Sequence, residues 1–222
     1  MMHKRETVFL SDVEEAVLET VLRLGCETSL TQIHNSLGTH KISRTALGRY
    51  LYLLQKKGFI ERYRVKGETW AKIKPEKIQQ LRRKYGIKAP IMYLGLLGLP
   101  RPEYPEPETI TAIKLLEKEG VKICKVAVAS SREALDKHKS KINAFLAKKK
   151  VIIRYIEVQP DDYFKCKEEL LKLINSNIIK HNIICDVTGG TKIMTLALAE
   201  VARKYDLPLI YVFLEKIRLI KL

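Results

Sequence analysis

The residues of this 222-residue chain best suited to chemistry stand together at Asp186-Val187-Thr188-Gly189-Gly190-Thr191-Lys192. An apolar run over 182–185 precedes them and a helical pattern over 193–204 follows. A strand, two glycines and a helix start leave backbone N–H groups free where an anion could sit. Thr188 and Thr191 add hydroxyls. Lys192 puts an ammonium into the first helical turn, where the helix dipole disfavours a cation, so a negatively charged partner would explain it. The same residues also suit a plain βα turn with steric glycines and a solvated lysine. Two familiar nucleotide motifs are missing: no GxGxxG follows the first strand of this region, and Gly189-Gly190-Thr191-Lys192 is too short for a P-loop.

The elements around this turn read as alternating strands and amphipathic helices. Apolar strands are expected over 91–97, 122–129, 151–158, 182–187 and 208–214, with helices over 107–119, 131–148 and 161–180 between them. Apolar runs buried on both faces with right-handed crossovers make this a Rossmann-like α/β domain with a five-stranded parallel sheet. With strand order 3-2-1-4-5, the switch point falls between the first and fourth strands. The loop after the first strand would then share a crevice with the Gly189-Gly190 turn. That loop runs from Gly98, Leu99, Pro100 and Arg101 to Pro107, and its four prolines make it stiff. Ser130, Ser131 and Arg132 follow the second strand on the same edge.

The amino-terminal part has another character. Ser11-Asp12-Val13-Glu14 is a capping box opening a helix with Val13, Val17, Leu18, Val21 and Leu22 on one face. A short helix over 30–37 closes at Gly38, and Ser43 caps a third helix that runs to Lys57. Segments 59–65 and 69–73 flank the turn Lys66-Gly67-Glu68 as a hairpin. Three helices and a basic hairpin make a winged helix-turn-helix. The third helix directs Ala46, Leu47, Tyr50, Leu51 and Leu54 to the core. Arg44, Thr45, Gly48, Arg49, Tyr52 and Lys56 lie opposite, a face fit for a DNA groove. Arg62, Arg64 and Lys66 of the hairpin could reach phosphates; a protein-binding or structural winged helix would carry a similar solvated basic face. The expected domains are 1–86, including a short linker helix over 75–85, and 87–222.

Composition fits that division. Lys and Arg number 41 against 25 Asp and Glu, a net charge of +16 that favours polyanionic partners. Abundant Lys and Glu also fit the ion-paired surface of an archaeal or thermophilic protein. Cys26, Cys124, Cys166 and Cys185 form no CxxC pair and no metal spacing with the histidines, so neither metal nor cofactor is expected. No signal peptide and no apolar run of membrane-spanning length are evident, so a cytoplasmic location without membrane contact is expected.

A winged helix-turn-helix joined to a Rossmann-like domain with D-V-T-G-G-T-K after its fourth strand resembles the CARF (CRISPR-associated Rossmann fold) proteins. Their second signature has the form D-x-T-G-G-T-K after the fourth strand; their first, after the first strand, is matched by 98–101 in position only. A known CRISPR regulator of this class carries its winged helix after the CARF domain, whereas here it comes first. The resemblance implies a homodimer through the CARF domain whose symmetric pocket takes cyclic oligoadenylate, often the four-nucleotide ring. It also implies that some members cleave the ring without metal, by attack of a ribose 2′-hydroxyl on the adjacent phosphate; Lys192 would then stabilise the developing charge. No HEPN-like R-x4-6-H motif is evident after Lys192, so the winged helix is the expected output. The function implied is a CRISPR-associated, ligand-responsive, DNA-binding transcriptional regulator of antiviral defence, with a ring nuclease or a protein-binding adaptor as the alternatives.

Overall fold

A computed structural model describes residues 9–38, 42–100, 106–213 and 216–220 of the chain. It divides into two compact units, Met1–Ile87 and Lys88–Leu222.

In the first unit, helix α1 (Asp12–Arg23) is followed by a short strand β1 (Glu27–Ser29), helix α2 (Leu30–Leu37) and helix α3 (Arg44–Lys56). Strands β2 (Ile60–Val65) and β3 (Glu68–Ile73) and helix α4 (Pro75–Lys84) complete it. Local chemistry sets the helix starts. Ser11 accepts from the Glu14 N–H while the Glu14 carboxylate accepts from the Ser11 N–H at 2.7 Å, and Ser29 and Gln32 repeat the reciprocal cap on α2. Ser43 caps α3 through the Ala46 N–H. The β2–β3 turn places Lys66 at φ +50° and Gly67 at φ +81°, the paired left-handed conformations of a tight hairpin whose twist suits the strands. β1 joins the far side of β3, giving an antiparallel sheet in the order β1-β3-β2. β1 is an addition to the expected elements; three residues beside a helix cap carry too little alternation to be seen in sequence. Leu47, Leu51 and Leu54 of α3 are buried against Val17, Leu18, Val21, Ile33, Ile60 and Ile73, while Ala46 and Tyr50 stay half-buried.

The second unit alternates β4 (Ile91–Leu97), α5 (Glu108–Lys118), β5 (Ile123–Ser130), α6 (Arg132–Ala147), β6 (Ile152–Glu157), α7 (Tyr163–Asn177), β7 (Asn182–Asp186), α8 (Lys192–Tyr205), β8 (Leu209–Phe213) and β9 (Lys216–Ile220). The sheet runs β6-β5-β4-β7-β8-β9, parallel throughout except for β9, which pairs antiparallel with β8. This is a Rossmann-like α/β fold with the switch point between β4 and β7. The expected five parallel strands are thus joined by a sixth, antiparallel one. β9 reads Lys-Ile-Arg-Leu-Ile, an alternating edge strand half open to solvent, whereas the sequence reading sought continuous apolar runs buried on both faces. Tyr93 and Leu97 of β4 pack on one side with Ile110, Ile113, Ile142 and Leu146 of α5 and α6. Leu96 faces the other side, close to Met194 of α8. Among the described residues no helix is long and apolar enough to cross a membrane, and no group of His, Cys, Asp or Glu could hold a metal ion.

Candidate functional site

Two places in the chain gather the residues singled out by sequence, one in each unit. The first is the switch point at the carboxyl ends of β4 and β7. Asp186 ends β7 fully buried and pairs in register with Gly95 of β4. Gly95 is there because of Tyr93: a Cβ on Gly95 would lie 2.4 Å from the Tyr93 hydroxyl. The vacated space lets that hydroxyl donate to Asp186 Oδ2 at 2.6 Å. The other carboxylate oxygen accepts from the Thr188 N–H at 2.9 Å and from the Thr188 hydroxyl. The Thr188 hydroxyl accepts in turn from the Val212 N–H of β8 at 2.8 Å. One buried carboxylate therefore clasps β4, the turn after β7 and β8 together. Burial pushes Asp186 up to about 6, and hydrogen bonds from Thr188 and Tyr93 only partly offset it. Burial, with the neighbouring Asp186 charge, drives Tyr93 well above the usual phenol range.

The clasp presses the turn against the β4 loop. A Cβ on Gly189 would meet the Leu96 carbonyl oxygen at 2.5 Å, Gly98 N at 3.0 Å and Leu97 Cα at 3.1 Å. A Cβ on Gly98 would meet Gly190 N at 3.2 Å, and Gly190 sits at φ +82° against Leu96. So the two loops expected to share a crevice are in direct contact, and at Gly189 there is room only for glycine. Thr191 caps α8 through the Met194 N–H, and its hydroxyl donates to the Pro160 carbonyl at 2.7 Å. Lys192 follows as the first residue of α8, exposed and with no ion-pair partner among the described residues.

The remaining expected ligand residues divide by what their groups already do. Ser130 is buried and donates to the Leu97 carbonyl at 2.7 Å, tying β5 to the start of the β4 loop. Ser131 caps α6 through the Ala134 N–H, and Arg132 begins that helix exposed. Leu99 and Pro100 are exposed beside Gly98, and Arg101 lies outside the described residues. With the hydroxyls of Thr188, Thr191 and Ser130 committed within the fold, Lys192, Arg132 and the backbone of the glycine turn are what this edge offers an anion among the described residues. Sequence reasoning missed Tyr93 as the partner of Asp186. Its signal was a tyrosine followed two residues later by a glycine inside an otherwise apolar strand.

The second place is a groove of about 680 Å³ in the first unit, lined by Leu30 and Thr31 of α2, Arg44 and Thr45 of α3 and the β2–β3 turn from Lys66 to Thr69. Arg44 donates to the Thr31 hydroxyl at 2.8 Å, and Glu68 accepts from the Thr31 N–H at 3.1 Å. Hydrogen bonds from the hydroxyls of Thr31 and Ser29 hold Glu68 below the usual carboxylate range, with the Arg44 charge adding to them. Arg49, Arg64 and Lys66 are exposed. Arg62 differs from them: it donates to the Gly48 carbonyl at 3.3 Å and lies 5.8 Å from the Tyr52 ring centroid, so it is spent bracing β2 on α3. Opposite residues of an antiparallel pair share a face, which puts Arg64 and Thr69 on the same side as Arg62 and the buried Ala71.

Residues 108–221 match the family model described as the Card1 CARF domain. Among solved structures, the chain is similar to Can2 from Sulfobacillus thermosulfidooxidans, solved in complex with cyclic tetra-adenylate, at 24% identity and a TM-score of 0.41. That likeness covers 55% of this chain and 32% of Can2. It is also similar to protein VC1899 from Vibrio cholerae, at 12% identity and a TM-score of 0.44, over 55% of this chain and 30% of that one. The chain thus spans about a third of the length of either. No curated protein matches it.

Proposed function

The chain belongs to the family of the Card1 CARF domain, and on that footing we propose that it is a cytoplasmic, CRISPR-associated regulator that binds cyclic oligoadenylate and double-stranded DNA. The ligand, cyclic tetra-adenylate in this reading, sits at the β4–β7 switch point. The observation that carries it is the contact of Gly98 with the Gly189-Gly190 turn beside Lys192, whose ammonium has no ion-pair partner among the described residues. A close-packed glycine backbone at a helix start and a lysine in its first turn suit a phosphate. Two copies related by a two-fold axis would present these groups twice to a ring of matching symmetry. Leu196 of α8 and Phe164 of α7 are 63% and 80% exposed, apolar surface that association through this unit would cover.

The first unit is the output in this reading, a winged helix-turn-helix with α3 as its recognition helix. Arg44, Thr45 and Arg49 meet base edges or phosphates, and Arg64 and Lys66 reach the backbone. Ligand alters DNA binding only in so far as it prefers one of two dimer arrangements. The exposed ammonium of Lys192, without an ion-pair partner among the described residues, also favours a second reading, metal-independent cleavage of the ring, in which it stabilises charge on the attacked phosphate. Titration of the full chain with cyclic tetra-adenylate, followed by chromatography of the nucleotide, tests both. Binding with an intact ring supports a sensor, binding with linear products a ring nuclease, and no binding removes the site from either.

A further inference from the structure

The groove between α2, α3 and the β2–β3 turn contains one acidic side chain, and its position is unusual for a surface that meets phosphates. Glu68 is the first residue of β3, and its carboxylate accepts the Thr31 N–H at 3.1 Å at the amino end of α2. That end of a helix is where an anion is favoured, by free N–H groups and by the helix dipole. Arg44 reaches the same spot from α3, donating to the Thr31 hydroxyl at 2.8 Å and attracting the Glu68 charge. The wing thus carries its own anion into the seat that a phosphate of bound nucleic acid would take, on the same threonine that Arg44 of α3 bonds.

From this geometry, and resting on the DNA-binding reading above, we propose that Glu68 is a built-in competitor that restrains phosphate binding in the groove by occupying the α2 amino end beside Arg44. Duplex DNA that enters this groove has to displace the carboxylate or endure its repulsion. The affinity of the unit for nucleic acid of any sequence is thereby held down, and base contacts from α3 weigh more in the choice of site. Removing the charge leaves the α2 amino end, with Arg44 beside it, to one further phosphate.

Glu68→Gln separates charge from positioning, because the amide oxygen can still accept the Thr31 N–H and keep the wing in place. Binding of the full chain to a labelled mixed-sequence duplex is measured by fluorescence anisotropy between about 50 and 200 mM salt. The glutamine variant is expected to bind about 5–10-fold tighter, with the slope of log K against log salt steeper by about 0.9, one added phosphate contact. Adding Arg44→Ala to the glutamine variant is expected to abolish the gain. Glu68→Ala, which also removes the acceptor, should bind at least as tightly as Glu68→Gln. Parent binding with an equal or weaker glutamine variant overturns the role of Glu68 and leaves the DNA reading standing. No binding by any variant at the lowest salt overturns the DNA reading and this inference with it.

Discussion

Replacing Gly189 by alanine tests the packing that makes the switch point a site. The added Cβ would lie 2.5 Å from the Leu96 carbonyl oxygen, 3.0 Å from Gly98 N and 3.1 Å from Leu97 Cα. Ordinary contacts begin near ~3.5 Å, so the turn must move about 1 Å off the end of β4. All three neighbours are backbone atoms of β4 and its loop, which no side-chain rotation can relieve. Gly189 is not at positive φ, so the cost is steric and not conformational. Overpacking of this kind costs about 1–3 kcal/mol, or roughly 3–10 °C in the melting temperature of a unit this size. The shift also loosens the clasp at Asp186 and parts the two loops, so affinity for cyclic tetra-adenylate should fall at least about tenfold, some 1.4 kcal/mol. Calorimetry supplies both readouts, melting and ligand titration. Gly48→Ala provides the contrast, since its Cβ would meet nothing closer than 4.0 Å inside α3 and should stabilise by up to about 1 kcal/mol. A Gly189→Ala protein with parental melting and parental affinity would refute the close-approach argument.

Other expected outcomes concern single groups. Asp186 titrates near 6 in the folded chain, above its ordinary value of about 3.9, so the folded state holds the extra proton between these values. Stability of the second unit should therefore fall by up to roughly 3 kcal/mol as pH rises from about 4 to about 6. Asp186→Asn should flatten that slope in urea denaturation; an unchanged slope would remove Asp186 as its source. Lys192→Ala should lower affinity for cyclic tetra-adenylate by about 1.5–3 kcal/mol while leaving the unliganded melting temperature in place, because the exposed ammonium has no ion-pair partner among the described residues. Destabilisation without loss of affinity would make that lysine structural. Arg49→Ala should weaken binding to a preferred duplex by about 1–3 kcal/mol, whereas Arg64→Ala should weaken binding evenly and flatten the salt slope. Parental binding by Arg49→Ala across the salt range would exclude α3 as the reading helix. A chain beginning at Lys88 should remain dimeric by light scattering, and a monomer at micromolar concentration would place dimerisation elsewhere.

The parallel strands were legible because buried strands leave unbroken apolar runs, and the meeting of the β4 and β7 loops because the glycine pair marks where one backbone must approach another; the strand order, only supposed from sequence, is set by pairings that no local run encodes. The six-strand count was not legible, because β9 alternates like a solvent-facing edge and carries no buried run. The clasp of Tyr93 on Asp186 spans 93 residues of sequence, and no local pattern encodes so distant a hydrogen bond. Arg62 and Arg64 look alike in sequence, yet Arg62 stands over Gly48 and Tyr52 of α3 while Arg64 lies one pleat further from the core, exposed. Hydroxyls were the least legible groups of all. Thr188, Thr191 and Ser130 have the residue types of a ligand site, but their partners are Asp186, Pro160 and Leu97 of the same chain.

In the proposed function, the β4–β7 switch points of two copies bind one cyclic oligoadenylate ring. Isothermal titration of the full chain with cyclic tetra-adenylate, run beside Lys192→Ala, tests it most directly. The account predicts saturable binding of one ring per two chains, weakened by about 10–100-fold in the lysine variant. No saturable binding of rings of any size, or binding indifferent to Lys192, would contradict it.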